Sequence, residues 1–186
     1  MRIEENYSLE KHNTFHLPVK ARWFMEYTNE EELGRIFRDE YFQECLSLHI
    51  GSGSNLLFIN DFNGVILHSQ IKGISVAKET DDSVLLRIGA AEKWDDVVAY
   101  AASPKGWGGN RNLSGIPGEV GAAAVQEYRG NTVRKSRMWS RRWRHITSFR
   151  SRNVCLQMKN VFIVIGIVSS RMSITTRTLL LYEIYV

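Results

Sequence analysis

The chain has 186 residues, of which 44% are apolar and 24% charged, an ordinary composition for a soluble globular protein with one sizeable core. Its longest apolar run, residues 161–168, is far shorter than the roughly 20 residues of a membrane-spanning helix. The polar N-terminus lacks the apolar stretch of a secretory signal, so the sequence predicts a cytoplasmic protein without a membrane partner.

The charge of the chain changes sign near residue 126. Residues 1–126 contain 12 Lys and Arg against 18 Asp and Glu, whereas residues 127–186 contain 12 against 2. This asymmetry predicts an N-terminal domain at 1–126 and a separate basic tail at 127–186. Cys45 and Cys155 have no Cys or His at metal-ligand spacing, which predicts buried free thiols and no metal site.

Strand and helix patterns alternate along the first hundred residues. A strand is predicted at 21–27, and Asn29 followed by three glutamates predicts a helix through residue 39, because acids in a first turn complement exposed amides. Further strands are predicted at 45–50, 64–68, 71–78 and 83–88, and a helix with apolar residues on one side at 92–102. The predicted fold class is therefore mixed α/β (α+β).

The strand predicted at 45–50 leads directly into the sequence GSGSN at residues 51–55. Glycine permits positive φ and close approach of a ligand, so successive amides in such a loop can converge on an anion such as a pyrophosphate. The dinucleotide pattern G-x-G-x-x-G fails because Leu56 stands at its third glycine, and no phosphate-loop lysine follows. A plain Gly-Ser turn is the alternative interpretation.

A second glycine-rich segment covers residues 112–126 and contains three glycines and a proline before a run of small residues. Small residues at the start of a helix would let it lie flush against a flat ligand with its amides aimed outward. The alternative interpretation is a tight turn before a closely packed helix.

Five segments together resemble the UDP-N-acetylenolpyruvoylglucosamine reductases: NTF at 13–15, GSGSNLLF at 51–58, DFNGVIL at 61–67, GAAEKWDDVV at 89–98 and LSGIPGEVGAAAVQ at 113–126. The resemblance covers about residues 1–126 and implies the N-terminal part of an FAD-binding PCMH-type fold, as in vanillyl-alcohol oxidase. It implies that residues 51–55 cradle the FAD pyrophosphate and that the second segment borders the isoalloxazine and ribityl chain. The implied cofactor-binding residues are Gly51, Ser52, Gly53, Ser54, Asn55, Gly115, Ile116, Pro117, Gly118, Gly121 and Ala122.

The family resemblance also implies an activity. In that family NADPH reduces FAD, and the flavin passes hydride to the enolpyruvyl ether of UDP-N-acetylglucosamine, giving UDP-N-acetylmuramate for peptidoglycan. A serine, an arginine and a glutamate of the family assist this step, but all three fall beyond the matching region. No catalytic residue is carried over, and we expect a cytoplasmic monomer that is an inactive fragment without a nucleic-acid partner.

The basic tail is explained by a shifted reading frame. Permitted codons for residues 132–147, read after skipping two bases, spell GAEVKDVVEAVEAYN, which fits the family after its GAYG turn. Two alternatives stay open: nucleic-acid binding through residues 129–152, and a flavin oxidase of the same fold. Such oxidases often tether FAD through a histidine near the pyrophosphate loop, and no histidine lies between residues 51 and 64. We expect the histidines before the tail to be structural or on the surface: His12, His16, His49 and His68.

Overall fold

The computed structural model describes residues 1–81, 84–102, 107 and 111–125, except the side chains of Asn112, Ala124 and Val125. Beyond these it describes the backbone of three strands after residue 141. The elements fall into two sheets, each with its own buried cluster of apolar side chains.

The first sheet is built from β1 (Arg2–Ser8), β2 (Lys20–Tyr27), β3 (Ser47–Ile50) and β4 (Phe62–Ser69). Their spatial order is β1–β2–β4–β3, with β1 antiparallel to β2 and the other three strands parallel. Two parallel strands need a crossover, which α1 (Glu30–Arg38) and α2 (Glu40–Glu44) supply between β2 and β3. The predicted fold class is therefore confirmed for this unit.

The predicted helix start is confirmed, because the Asn29 side chain accepts a hydrogen bond from the Glu32 amide at 2.9 Å. The strand predicted at 45–50 is shorter than expected. The Cys45 amide donates to the Phe42 carbonyl and so closes α2, which delays the strand to Ser47. The Cys45 thiol is half-buried rather than buried and donates to the Tyr41 carbonyl at 3.3 Å.

Alternation along the central strands gives the first sheet two apolar faces. Met25 and Leu67 pack with Leu33 and Ile36 of α1 on one face. On the other face the buried side chains come from the strands and from the loops that cover them: Leu9, Ala21, Phe24, Ile50, Phe58 and Ile66. The strand β1, which the sequence did not predict, forms the edge of this sheet and is mostly exposed.

The second sheet contains β5 (Ile74–Glu79), β6 (Val84–Gly89), β7 (Arg142–Thr147), β8 (Lys159–Val161) and β9 (Arg177–Tyr185) in the order β5–β6–β9–β7–β8, all antiparallel. The helices α3 (Trp94–Ala102) and α4 (Val120–Val125) share a buried cluster with β6. The members of that cluster include Leu86, Ile88, Trp94, Val97, Val98 and Val120.

Three strands of the second sheet belong to the tail at 127–186, and β9 pairs with β6. A shifted reading frame predicts that this tail packs poorly and exposes Trp139 and Trp143, and that prediction falls on residues whose side chains are not described. Over the described ranges, no helix is long and apolar enough to cross a membrane. The same ranges contain no group of three or more His, Cys, Asp or Glu that could hold a metal ion.

Candidate functional site

A cleft of about 140 Å³ opens where the three parallel strands of the first sheet end. The last residues of these strands, Tyr27, Ile50 and Ser69, all line it. Ligands of open α/β sheets bind in the crevice outside the carboxyl ends of the strands, so topology alone makes this cleft the first candidate site. The opposite wall comes from the start of α4 and the end of β6: Ala90, Glu119, Gly121 and Ala122.

The glycine loop, residues 51–55, follows β3 without an intervening residue and contributes Gly51, Gly53, Ser54 and Asn55 to the cleft. In the described part of the chain, no acceptor receives a hydrogen bond from the amides of residues 52–55. Unsatisfied amides on consecutive residues of a turn form a concavity suited to an anion. The chemistry expected of this loop therefore remains open to it.

The conformation of the glycine loop depends on a neighbouring turn at residues 9–17. The buried Asn13 side chain donates to the Leu9 and Leu17 carbonyls, at 2.8 and 3.1 Å, and accepts from the Leu17 amide. This turn presents the His12 carbonyl to Gly53, whose φ is +76°. A Cβ atom on Gly53 would lie 1.8 Å from that carbonyl oxygen.

This contact changes the meaning of one expected substitution. If Gly53 presents its amide to a pyrophosphate, the sequence predicts that Gly53→Val abolishes flavin affinity by blocking approach of the ligand to the backbone. The missing side chain of Gly53 instead points at the His12 backbone, so any side chain there would displace the loop itself. At Gly51 a Cβ atom would lie 3.2 Å from the Ala122 Cβ atom and from Glu119 Oε2, two groups of the opposite wall.

The proline turn, residues 114–118, lies beside the cleft and is fastened to the start of α3. Asp95 accepts from the Ser114 hydroxyl at 2.7 Å and from the Gly115 amide at 2.8 Å. These two bonds lower the pKa of the exposed Asp95 carboxyl. The buried Trp94 donates its indole N–H to the Leu113 carbonyl at 2.9 Å and its amide to the Gly118 carbonyl at 3.0 Å.

The start of α4 does not present free amides, contrary to the sequence-based expectation. The Val120 amide donates to the Glu92 carbonyl and the Gly121 amide to the Ala90 carbonyl, each at 2.9 Å. A bridge between Lys93 and Glu119 joins the same two segments. These amides already donate hydrogen bonds within the protein, because the segment after the proline turn pairs with the chain between β6 and α3. Sequence patterns do not reveal this tertiary contact.

The predicted cofactor residues divide into two groups. The cleft brings together Gly51, Gly53, Ser54, Asn55, Gly121 and Ala122. Ser52 does not line it, and neither do the four predicted residues of the proline turn, which are Gly115, Ile116, Pro117 and Gly118. Ile116 packs against the buried cluster shared by β6, α3 and α4. The Pro117 carbonyl accepts a hydrogen bond from the Ser54 hydroxyl at 3.4 Å.

A charged network that the sequence analysis did not identify lies behind the cleft wall. His68, 6% exposed, contacts Glu26 through Nδ1 at 3.1 Å and Glu119 through Nε2 at 3.4 Å. Glu26 also forms an ion pair with Arg2 on β1 at 3.1 Å and accepts a hydrogen bond from the side-chain amide of Gln70 at 2.8 Å. Charge therefore alternates from the exposed edge strand to the cleft.

The network determines the protonation of its members. Burial acts to lower the pKa of His68, but the bonds and charges of Glu119 and Glu26 outweigh it and raise that pKa. Burial acts to raise the pKa of Glu26, and its bonds to His68 and Arg2 outweigh this and lower it. Burial and the neighbouring His68 charge lower the pKa of His12, whose ring centroid lies 5.2 Å from that of His68.

Comparison with known proteins identifies the class of protein. Residues 21–148 match the model of the family described as FAD binding domain, which is more than half of the chain. The chain therefore belongs to the FAD-binding domain family. The match extends past residue 126, where the sequence predicts the domain to end.

Within that class the chain is similar to UDP-N-acetylenolpyruvoylglucosamine reductases. It is 48% identical over 126 residues to the reductase of Porphyromonas gingivalis, covering 68% of this chain and 37% of the relative. It is 49% identical over 124 residues to that of Bacteroides fragilis, covering 67% and 37%. The family resemblance stated from the sequence is confirmed, and the chain spans 37% of the length of these curated relatives.

A solved structure shows the same fold. The crystal structure of UDP-N-acetylenolpyruvylglucosamine reductase from Thermus caldophilus matches with a TM-score of 0.60 and 16% sequence identity. The match covers 99% of this chain and 62% of that chain. The expected fold, the N-terminal part of an FAD-binding PCMH-type architecture, is thereby confirmed.

Proposed function

We propose that residues 1–126 are the flavin-binding part of a UDP-N-acetylenolpyruvoylglucosamine reductase and that the cleft holds the pyrophosphate region of FAD. The observation that carries the proposal is the glycine loop, whose amides at residues 52–55 donate to no described part of the chain. These amides lie at the carboxyl ends of three parallel strands, where ligands of such sheets bind.

The residues that border the cleft suit a segment of FAD rather than the whole molecule. Pockets for drug-sized ligands enclose roughly 300–1,000 Å³, and this cleft has about 140 Å³. Gly51 and Ala122 lie in contact with each other and present no large side chains, so the lining at this point leaves room in the cleft beside them for a thin phosphate and sugar-alcohol chain. The flavin ring and the adenine would extend beyond the cleft.

The chemistry of the proposed reaction comes from the cofactor, while the chain binds and orients it. Bound FAD carries hydride from NADPH to the enolpyruvyl double bond of the UDP-sugar substrate. In the proposal the glycine loop neutralises the pyrophosphate through its amides, and the proline turn, held by Asp95, borders the ribityl and flavin end. We propose a cytoplasmic monomer without a nucleic-acid or membrane partner, serving cell-wall synthesis.

We also propose that residues 127–186 are translated from a shifted reading frame and that the chain as written has no reductase activity. The sequence after Gln126 lacks the arginine, serine and glutamate segments expected of the family, and losing one such group typically costs about 10²–10⁴-fold in rate. The alignments with the relatives cover 126 and 124 residues, about two thirds of the chain. Sequencing the gene tests the shifted frame, because restoring the family frame near the Gln126 codon must restore the missing segments.

The cofactor proposal is tested by titrating the 186-residue chain with FAD and following the quenching of flavin fluorescence. Gly51→Val is the informative variant, because the φ of Gly51 is not in the left-handed region and the new side chain would crowd Ala122 and Glu119 of the opposite wall. We expect FAD affinity to fall at least about tenfold while the chain stays folded, with Gly51→Ala in between.

The matched control is Gly73→Ala, at a glycine with φ of +117° and no neighbouring atom within 4 Å of a new Cβ. This change strains a turn away from the cleft, so it should lower stability without lowering FAD affinity. If Gly51→Val binds FAD as tightly as the wild type, the cleft is not part of the flavin site. Substrate-dependent NADPH oxidation by the chain as written, within a hundredfold of a frame-restored control, would refute its inactivity.

A further inference from the structure

A carboxylate stands in the wall of the proposed anion site, and this is the feature that the cofactor proposal leaves unexplained. Glu119 lines the cleft, and one of its oxygens, Oε2, lies 3.2 Å from the position of a Cβ atom on Gly51. The other oxygen, Oε1, contacts His68 Nε2. A negative charge at this place opposes a pyrophosphate unless it is compensated and has a partner of its own.

We propose that Glu119 accepts a hydrogen bond from a sugar hydroxyl next to the pyrophosphate of the dinucleotide, and that protonated His68 positions this carboxylate and compensates its charge. The inference rests on the proposed function, because it assumes a dinucleotide in the cleft. FAD offers two sources of such a hydroxyl, the ribityl chain and the adenosine ribose, and both present the same chemistry to a carboxylate.

The geometry supports a charged imidazole with two acceptors. Glu26 faces Nδ1 from β2, and Glu119 faces Nε2 from the start of α4. The other ionisable groups near His68 are His12, whose ring meets that of His68 edge-on, and Arg2, which reaches it through Glu26. Gln70 also approaches Nδ1, at 3.2 Å, but its amide donates to Glu26 at the shorter distance of 2.8 Å, which leaves both imidazole N–H groups to the carboxylates.

Within the described ranges no hydrogen bond is made to Glu119 Oε2, which leaves this oxygen for a ligand. When the imidazole is protonated, His68 and Arg2 carry two positive charges against Glu26 and Glu119, and the exposed Glu4, which also pairs with Arg2, adds a negative charge on β1. At the cleft wall the charge of Glu119 is therefore compensated directly by His68. Burial acts to lower the pKa of His68, but its two acceptors raise that pKa, so the imidazole keeps its proton to a higher pH than an ordinary histidine. As pH rises through that pKa, Glu119 loses its counter-charge, and affinity for a pyrophosphate should fall.

Three ligands separate the possible partners of Glu119: FAD contains both sugars, FMN has the ribityl chain without the ribose, and ADP has the ribose without the ribityl chain. In the full chain we expect Glu119→Gln to weaken FAD about tenfold, since a charge-assisted bond becomes a neutral one. If FMN weakens and ADP does not, the partner is a ribityl hydroxyl, and the reverse pattern assigns the ribose. Glu5→Gln, an exposed change of equal charge on β1, should alter none of the three affinities.

His68→Gln tests the compensation. It should weaken both FAD and ADP about tenfold. It should also abolish the loss of FAD affinity at rising pH, because the pyrophosphate diester of FAD does not itself titrate in this range. The double variant His68→Gln with Glu119→Gln should recover ADP affinity to within about threefold of Glu119→Gln alone, because the uncompensated charge is gone. Failure of this recovery would overturn the role of His68.

Other outcomes also decide the question. Unchanged affinities in Glu119→Gln, or equal weakening of all three ligands in step with a loss of thermal stability, would overturn the hydroxyl contact. Failure of the wild-type chain to bind FAD would overturn the proposed function. The pairing itself is measured separately by NMR titration of the His68 imidazole without ligand, where Glu119→Gln should lower its pKa; an unchanged pKa would refute the pairing even in a chain that binds FAD.

Discussion

The glycine loop lines the cleft and the proline turn lies beside it, and each contains a glycine in the left-handed region, yet the structure uses them differently. Gly53 has φ of +76° and Gly115 has φ of +78°. The amides of the glycine loop at residues 52–55 have no acceptor among the described residues. In the proline turn the Gly115 amide donates to Asp95, and the Gly118 carbonyl accepts from Trp94.

The difference shows that a glycine-rich sequence predicts a turn but not a ligand site. An amide can bind an anion only if no protein group already accepts its hydrogen bond. Asp95 is 20 residues away from Gly115 in the chain, and folding of α3 against the turn brings the two together. The glycine loop can therefore bind an anion through its amides. The proline turn instead has a structural role, because it is bonded to the start of α3.

The comparison predicts its largest effect for Gly53→Ala. The new Cβ atom would lie 1.8 Å from the His12 carbonyl oxygen, which is closer than non-bonded carbon and oxygen atoms approach each other. The left-handed φ adds strain. We expect a loss of about 4 kcal/mol or more in the free energy of unfolding, measured by urea denaturation, together with loss of FAD binding. A loss below about 1 kcal/mol would show that the loop and the turn at residues 9–17 separate easily.

Trp94→Phe should have the next largest effect, on the side of the proline turn. The indole is 1% exposed and donates to the Leu113 carbonyl at 2.9 Å, so phenylalanine leaves a buried acceptor unpaired and a void beside it. We expect a loss of about 3 kcal/mol in the free energy of unfolding. Because the glycine loop is not touched, FAD affinity measured below the unfolding transition should change less than in Gly53→Ala, and an equal loss of affinity would contradict the division of roles.

Much of the first sheet, with its helix α1 and its glycine loop, could be predicted from local sequence. The run of acids after Asn29 predicted a helix start that the structure confirms, and the glycine loop follows its strand as expected. Each of these features depends on neighbours within a few residues, such as the cap from Asn29 to Glu32 at 2.9 Å. Local patterns suffice where local contacts decide the structure.

The features that could not be predicted depend on residues distant in the chain. The edge strand β1 has three charged residues among seven and is mostly exposed, and it forms by pairing with β2. His68 was expected to be structural or on the surface, and its contacts with Glu26 and Glu119 could not be predicted because these partners are 42 and 51 residues away. The occupied amides at the start of α4 were missed for the same reason.

Gly115→Ala is the matched counterpart of Gly53→Ala and should have a much smaller effect. Both glycines have nearly the same φ, but a Cβ atom on Gly115 would meet no atom within 4 Å. The cost is then backbone strain alone, roughly 1–2 kcal/mol in the free energy of unfolding. Equal destabilisation by the two substitutions would show that the φ value, and not the His12 contact, makes the glycine loop sensitive.

The smallest effect is expected for Ser54→Ala, which removes a direct hydrogen bond between the two segments. The Ser54 hydroxyl donates to the Pro117 carbonyl at 3.4 Å, a long bond in an exposed position, so its loss should cost about 0.5 kcal/mol or less. Ser52→Ala is the matched control, because the Ser52 hydroxyl makes no hydrogen bond to the described residues. Its effect on unfolding should be smaller still.

The informative measurement is the double variant Ser54→Ala with Gly115→Ala. If the glycine loop and the proline turn are held independently, one by the turn at residues 9–17 and the other by Asp95 and Trp94, the two changes in unfolding free energy should add to within about 0.5 kcal/mol. Coupling above about 1 kcal/mol would mean that Pro117 and Ser54 lock the segments into one unit. The proline turn would then control the position of the amides at residues 52–55, and its description as a separate support would be wrong.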